Sequence, residues 1–198
     1  MHILTLPGLY NSGPEHWQTR WEQQHPQVHR VMQDNWDQPE LTQWLTTLSQ
    51  RVSLCQQDVI FVAHSLGCIL LLHWLRAGCP GLGASLQIRG VLLVATPDAE
   101  RSGFPAQDFA PVPQIPLHVP GKVVISRDDP WRDAEKAFDW AEKWQLPVWD
   151  VGNCGHINSD SGLGNWDAGW QIVQEWLDFR LSDAKTPISV PNSDVTKV

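Results

Sequence analysis

The sequence predicts a three-layer α/β fold: about six mostly parallel strands in one sheet, helices on both faces, and a single domain over residues 1–182. Three observations carry this. Short β-rich runs alternate with stretches of helical spacing along the chain, the pattern of a doubly wound sheet with right-handed crossovers. Two central runs, DVIFVAH (58–64) and QIRGVLLVAT (87–96), are nearly unbroken in apolar residues, as strands covered on both faces are. The 198 residues match one ordinary domain and suffice to bury most of its apolar surface.

Taken in order, HILTLPG (2–8) is a β-rich run stopped by Pro-Gly. GPEHWQTRWEQQH (13–25) has helical spacing, with Trp17 and Trp21 four apart on one face. VHRVMQ (28–33) reads as the second strand. PELTQWLTTLSQRV (39–52) reads as a helix with Leu41, Trp44, Leu45 and Leu48 inward. The strand 58–64 is followed by LGCILLLHWLRAG (66–78), a buried helix ended by Gly78 with Pro80 blocking continuation. After the strand at 87–96 come KVVIS (122–126), the helical PWRDAEKAFDWAEKWQ (130–145), the strand LPVWDVG (146–152) and the closing helix NWDAGWQIVQEWLDFRL (165–181). Residues 97–120 carry six prolines and form no helix of any length. The polar tail 183–198 lacks periodicity and is expected to be disordered.

Composition narrows the function. Apolar residues make up 42% and charged residues 18%, a globular balance, and the net charge of −8 comes without any Lys/Arg cluster to bind nucleic acid. No apolar run reaches the roughly 18 residues of a membrane span, and MHILTLPGLYN has neither a basic start nor a cleavage site. A cytoplasmic protein without nucleic-acid or membrane partners is the expectation, as a monomer or weak homodimer. Cys55, Cys68, Cys79 and Cys154 have no metal spacing and read as reduced thiols; no metal or cofactor is expected. Twelve tryptophans against one tyrosine predict that some indoles pack near the surface, because burying all would leave N–H groups short of acceptors.

In an open parallel sheet, functional residues gather where strands end, and four stretches fall there. AHSLG (63–67), between strand and helix, is a G-x-S-x-G nucleophile elbow with Ala63 replacing its first glycine. Such a turn strains the serine backbone and exposes its hydroxyl; a structural serine in a strand–helix turn is the plainer alternative. SRDDPW (126–131) offers Asp128 and Asp129, either of which could hold an imidazole's tautomer, or cap the next helix. GNCGHINSDSGLGNW (152–166) places His156 in a loop too rich in glycine and polar residues for core. The order Ser65, Asp, His156 is that of α/β-hydrolases. LPGLYNSGPEHW (6–17) follows the first strand, where an oxyanion needs its second amide; Leu66 would give one N–H and Gly8 or Leu9, with Leu9 favoured, the other, a plain Pro-Gly turn being the alternative. His64 reads as packing and His73 as a core histidine.

These residues resemble a known family. GHINSDSGLGNW, with SRDDPW and AHSLG upstream and PGLYNSGPEHWQTRW at the start, is similar to the small serine hydrolases related to retinoblastoma-binding protein 9 and the bacterial YdeN proteins, over residues 1–180. The resemblance implies a compact α/β-hydrolase fold without a separate lid. It implies Asp129, the second aspartate of Asp-Asp-Pro, as the acid beside Ser65 and His156. It further implies esterase-like hydrolysis, here of a small ester through an acyl-enzyme. A thioesterase or acyltransferase on the same residues, or a protein-binding member without catalysis, are the alternatives. Tyr10, Trp17, Trp131 and Trp166, near the strand ends, are expected either to wall the substrate pocket, with the Pro-rich segment at its entrance, or to be surface-facing core aromatics.

Overall fold

The computed structural model describes residues 1–183. Six strands form one sheet: β1 His2–Leu6, β2 Val28–Arg30, β3 Val59–His64, β4 Ile88–Val94, β5 Gly121–Ile125 and β6 Val148–Asp150. Their order is β2-β1-β3-β4-β5-β6, and every neighbouring pair is parallel. Five α-helices connect or follow them: α1 Trp17–Gln24, α2 Leu41–Ser53, α3 Leu66–Arg76, α4 Ala134–Trp144 and α5 Asp167–Asp183. The expected disordered tail lies, apart from Asp183, outside the described residues. Among the described residues there is no separate lid, and no helix is long and apolar enough to cross a membrane.

Side chains alternate across the sheet as the strand pleat requires. Leu4, Leu6, Phe61, Ala63, Val91, Leu93, Val123 and Ile125 pack with Trp44, Leu48, Ile69, Trp140 and Trp144 of α2, α3 and α4. Ile3, Ile60, Val62, Leu92, Val94 and Val124 pack on the opposite face with Trp17 and Trp21 of α1 and Ile172 and Val173 of α5. Residues of β3 and of α3 are apolar on all sides because both elements are enclosed: every residue of β3 is buried, as are Leu66 through Trp74. Each such large apolar side chain contributes about 1.5–3 kcal/mol.

The tryptophans bear out the expectation that some lie near the surface, since Trp36, Trp131, Trp149, Trp170 and Trp176 are only half-buried. Six indoles (Trp17, Trp21, Trp44, Trp74, Trp140 and Trp144) are fully buried and none is among the exposed large hydrophobics. Loop carbonyls supply the acceptors: Trp17 Nε1 donates to Ile157 O, Trp44 to Asn35 O, Trp74 to Pro80 O and Trp144 to Pro113 O. Burial of many indoles is therefore compatible with satisfied N–H groups, provided irregular segments pass over the ring edges.

Two helices start four residues later than periodicity suggests. Helical spacing extends back to residue 13, but α1 begins at Trp17 with His16 as its cap, Nδ1 accepting from Gln18 N–H at 3.2 Å. The preceding loop is held outward by Arg30, which donates to Ser12 O and Asn11 Oδ1. Its carbonyls are thus committed elsewhere, and Tyr10 and Asn11 adopt left-handed φ of 64° and 66°. Likewise α4 begins at Ala134, not 130, because Trp131 N–H bonds the Asp129 carboxylate and Arg132 is drawn inside.

The chain runs from β1 out to β2 and returns to β3, so strand order reverses between β1 and β3. Ligand crevices in open α/β sheets form at the carboxyl ends of strands flanking such a reversal. Register places Leu6 beside Ala63, which brings the loop after β1 directly over the turn after β3.

Candidate active site

The turn after β3 is strained where the sequence says it should be. Ser65 has φ 54° and ψ −126°, a region that L-residues rarely occupy and that tight packing must enforce. Packing does so here. A Cβ on Gly67 would lie 2.1 Å from Leu6 O and 2.7 Å from Pro7 O, so α3 and β1 approach too closely for any side chain. Ala63 is accommodated because its methyl points into the core beside Leu6 and Leu93 rather than into that contact.

The hydroxyl of Ser65 meets His156. Ser65 Oγ donates to His156 Nε2 at 2.8 Å, and His156 Nδ1 donates to Asp129 Oδ1 and Oδ2 at 2.9 and 3.0 Å. Asp129's side chain has no exposed surface and that of His156 is 10% exposed. The carboxylate accepts at Nδ1, which leaves Nε2 as an acceptor for the hydroxyl proton. Asp128 lies exposed and does something else. Its Oδ1 accepts from Ser126 Oγ and from Gly155 N–H, each at 2.8 Å. The Ser126 hydroxyl first, then the Gly155 amide, holds its carboxyl below the usual range. Ser126 also accepts from Cys154 N–H. Asp128 therefore ties down the loop that carries His156, while Asp129 contacts the imidazole.

The loop after β1 covers the hydroxyl. A Cβ on Gly8 would fall 2.6 Å from Ser65 Cβ, 3.0 Å from its Oγ and 3.2 Å from Leu66 N, so only glycine lets the next peptide lie here. The amides of Leu66, first in α3, and of Leu9 make no hydrogen bond among the described residues, and both residues line the cavity with Ser65. Buried Gln18 braces this arrangement from α1, donating to Leu6 O and Val62 O and accepting from Ser12 Oγ.

The cavity over Ser65 holds about 270 Å³; Leu9, Tyr10, Phe104 and Trp131 wall it, and Asn11, Asn158 and Ser159 add polar groups. Tyr10 and Trp131 are thus where the sequence suggests. Trp17 and Trp166 are not: 1% and 6% exposed, they pack on each other at 4.7 Å between ring centres in the α1–α5 layer. Their place near strand ends in sequence put them beneath the site, where they carry the His156 loop through the Trp17–Ile157 bond. The Pro-rich segment contributes Phe104 to the wall, while its Phe109, Val112 and Leu117 are buried in the core. Among the described residues no group of three or more His, Cys, Asp or Glu is placed to hold a metal ion.

Sequence reasoning passed over His16, which borders the cavity. Its ring lies edge-on to His64 at 4.7 Å between centres. Burial, then Arg30 and His156, pushes it down to about 3, so it is neutral at ordinary pH. His64 is also driven well below the usual range, chiefly by burial and then by His16. Its Nε2–H donates to His156 O at 2.9 Å, a second brace on the loop. The signal for His16 was its place just before Trp17, where a capping side chain sits; helical periodicity absorbed it instead.

A sequence profile of the serine hydrolase family matches residues 3–175. The chain belongs to that family. The hydrolase is 33% identical to a YdeN-like hydrolase of Pectobacterium atrosepticum, with a TM-score of 0.79 over 90% of this chain and 91% of that one. It shares its fold with the ydeN gene product of B. subtilis (20% identity, TM-score 0.67, 89% and 98% covered). The fold also recurs in a thermophilic esterase from Thermogutta terrifontis (14%, 0.61, 90% and 89%). No curated protein matches at a significant level. These likenesses agree with the α/β-hydrolase fold and the YdeN resemblance expected from the motifs.

Proposed function

We propose that this serine hydrolase cleaves a small oxyester through an acyl-enzyme, with Ser65 as nucleophile, His156 as base and acid, and Asp129 as the orienting carboxylate. The observation that carries the reading is the continuous hydrogen-bond chain Ser65–His156–Asp129 at 2.8–3.0 Å. His156 takes the Ser65 proton as Oγ bonds to the carbonyl carbon, and the oxyanion is held by the Leu66 and Leu9 amides. Collapse breaks the ester bond, and His156 gives the proton to the departing alcohol. Water then attacks the acyl-enzyme by the same steps, releasing the acid and Ser65. A cavity of about 270 Å³ sits at the small end of ligand sites, which supports a short acyl group. Tyr10 and Trp131 are its proposed contacts.

Reaction with a fluorophosphonate probe tests the reading. Ser65 is expected to be the labelled residue, and short p-nitrophenyl esters the substrates turned over, faster than matched thioesters. A folded protein whose Ser65 stays unlabelled would instead be a binding module. Faster thioester cleavage would make it a thioesterase.

Gly8→Ala probes the fit of the loop after β1 over Ser65 and Leu66. The added methyl pushes against Ser65 as well as displacing the peptide carrying the Leu9 amide, and losing one oxyanion donor alone costs about 100- to 1,000-fold in kcat. Steady-state kinetics on p-nitrophenyl acetate would measure the loss, and wild-type turnover would mean that this close fit is not needed.

A further inference from the structure

Behind the hydrogen-bonded chain lies a charge that the mechanism above does not use. Arg132 is 6% exposed, and its side chain 1%. Its Nη2 stands 3.7 Å from Asp129 Oδ2, and Nη1 donates to Ser126 O at 3.4 Å. Nε and Nη2 have no hydrogen-bond partner. A guanidinium keeps its proton even so, and burying one with so few partners is costly. Burial lowers its affinity for the proton, and the Asp129 charge opposes that first among the compensating influences. The contact that holds Arg132 inside is therefore the carboxylate that His156 also uses.

We propose that Arg132 is a positioning residue for Asp129 and His156: by sharing the buried carboxylate, it keeps that pair free of an extra proton down to lower pH. The proposal rests on the function given above. Its sign follows from charge. With Arg132 present, Asp129 and a neutral His156 sum to zero with it, and protonating His156 leaves one net positive charge in a region with little water. Without Arg132, the same protonation cancels a net negative charge and becomes easier. Whichever of the two groups takes the proton, a protonated pair cannot act as base.

The other groups facing this pair do not supply the charge. His64, 5.0 Å from His156 between ring centres, and His16 are held neutral by burial. Cys68 faces Arg132 with a thiol pushed up to about 12, again by burial. Asp128 is exposed and engaged by Ser126 and Gly155. Asp98, Arg101 and Asp133 border a cleft with Asp129 and Arg132; Asp98 is paired with Lys136. Among the described residues, Arg132 is the buried cation at Asp129.

The test is the pH dependence of kcat/KM on p-nitrophenyl acetate and of fluorophosphonate labelling, in Arg132→Met, Arg132→Gln and Arg132→Lys, each checked for folding by circular dichroism. Loss of charge is expected to move the acid limb of both profiles to higher pH by about one unit, so that rates below it fall about tenfold. Arg132→Lys, which keeps the charge, should hold the limb near its wild-type position. Gln is the second charge-removing variant, able to fill the site with a polar group where Met does not fold. An acid limb unmoved in either folded neutral variant, or moved equally in the lysine variant, overturns the proposal. Failure of the wild-type protein to label at all would instead overturn the functional reading.

Discussion

Ser65→Ala is expected to lower kcat on short p-nitrophenyl esters by about 100,000- to 1,000,000-fold and to abolish fluorophosphonate labelling. The reason is chemical rather than structural. Alanine keeps the Cβ that already fits the turn, and the lost hydroxyl makes one bond, to His156 at 2.8 Å. Folding should therefore survive, with thermal unfolding close to that of the parent. What remains is binding in the cavity together with the free Leu9 and Leu66 amides, which can stabilise an oxyanion but form no acyl-enzyme. Near-normal turnover in this variant would mean that another group attacks the substrate, and the assignment would fall.

Asp129→Asn carries the second large effect, about 10,000-fold in kcat at neutral pH. The amide can turn its NH₂ towards Nδ1, which stabilises the imidazole tautomer with its hydrogen on Nε2. That nitrogen could then no longer take the Ser65 proton. Asp128→Asn is the informative partner, since its remaining oxygen can still accept from Gly155 N–H and Ser126 Oγ. Its cost should be roughly tenfold or less, the loss of charge from exposed hydrogen bonds. Side-by-side kinetics of the two variants decide the matter: equal losses, or a larger one in Asp128→Asn, would contradict the geometry. Restored activity of Asp129→Asn at high pH would be consistent with a tautomer fault.

Much of this site could be read along the chain because its parts lie where local rules place them. The elbow AHSLG needs a strand, a strained turn and a helix in succession, and each leaves its own mark on composition. Gly67 was required by the close approach of α3 to Leu6 O and Pro7 O, and the sequence states that requirement directly. His156 stood out because a histidine among glycines and polar residues is poor core. The sheet itself followed from two-sided apolar strands alternating with helical spacing.

Other features were not legible, for a common reason: each depends on where a side chain points after distant segments meet. Asp128 and Asp129 are neighbours of one type, and the sequence left both open until family resemblance favoured the second. Backbone direction after β5 turns Asp129 inward to His156 and Asp128 outward to Gly155. Trp17 and Trp166 sit at strand ends in sequence yet below the cavity in space, because α1 and α5 pack their aromatic faces together. Arg132 lies unremarked in the helical run 130–145; only the folded loop shows it buried against Asp129. The sequence alone determined the order of elements, the strained serine and the histidine loop, since these follow from local conformation and patterning. The tertiary structure decided which aspartate bonds His156, which aromatic residues wall the cavity and which cation lies buried beside Asp129, since burial and direction are fixed only when the layers close.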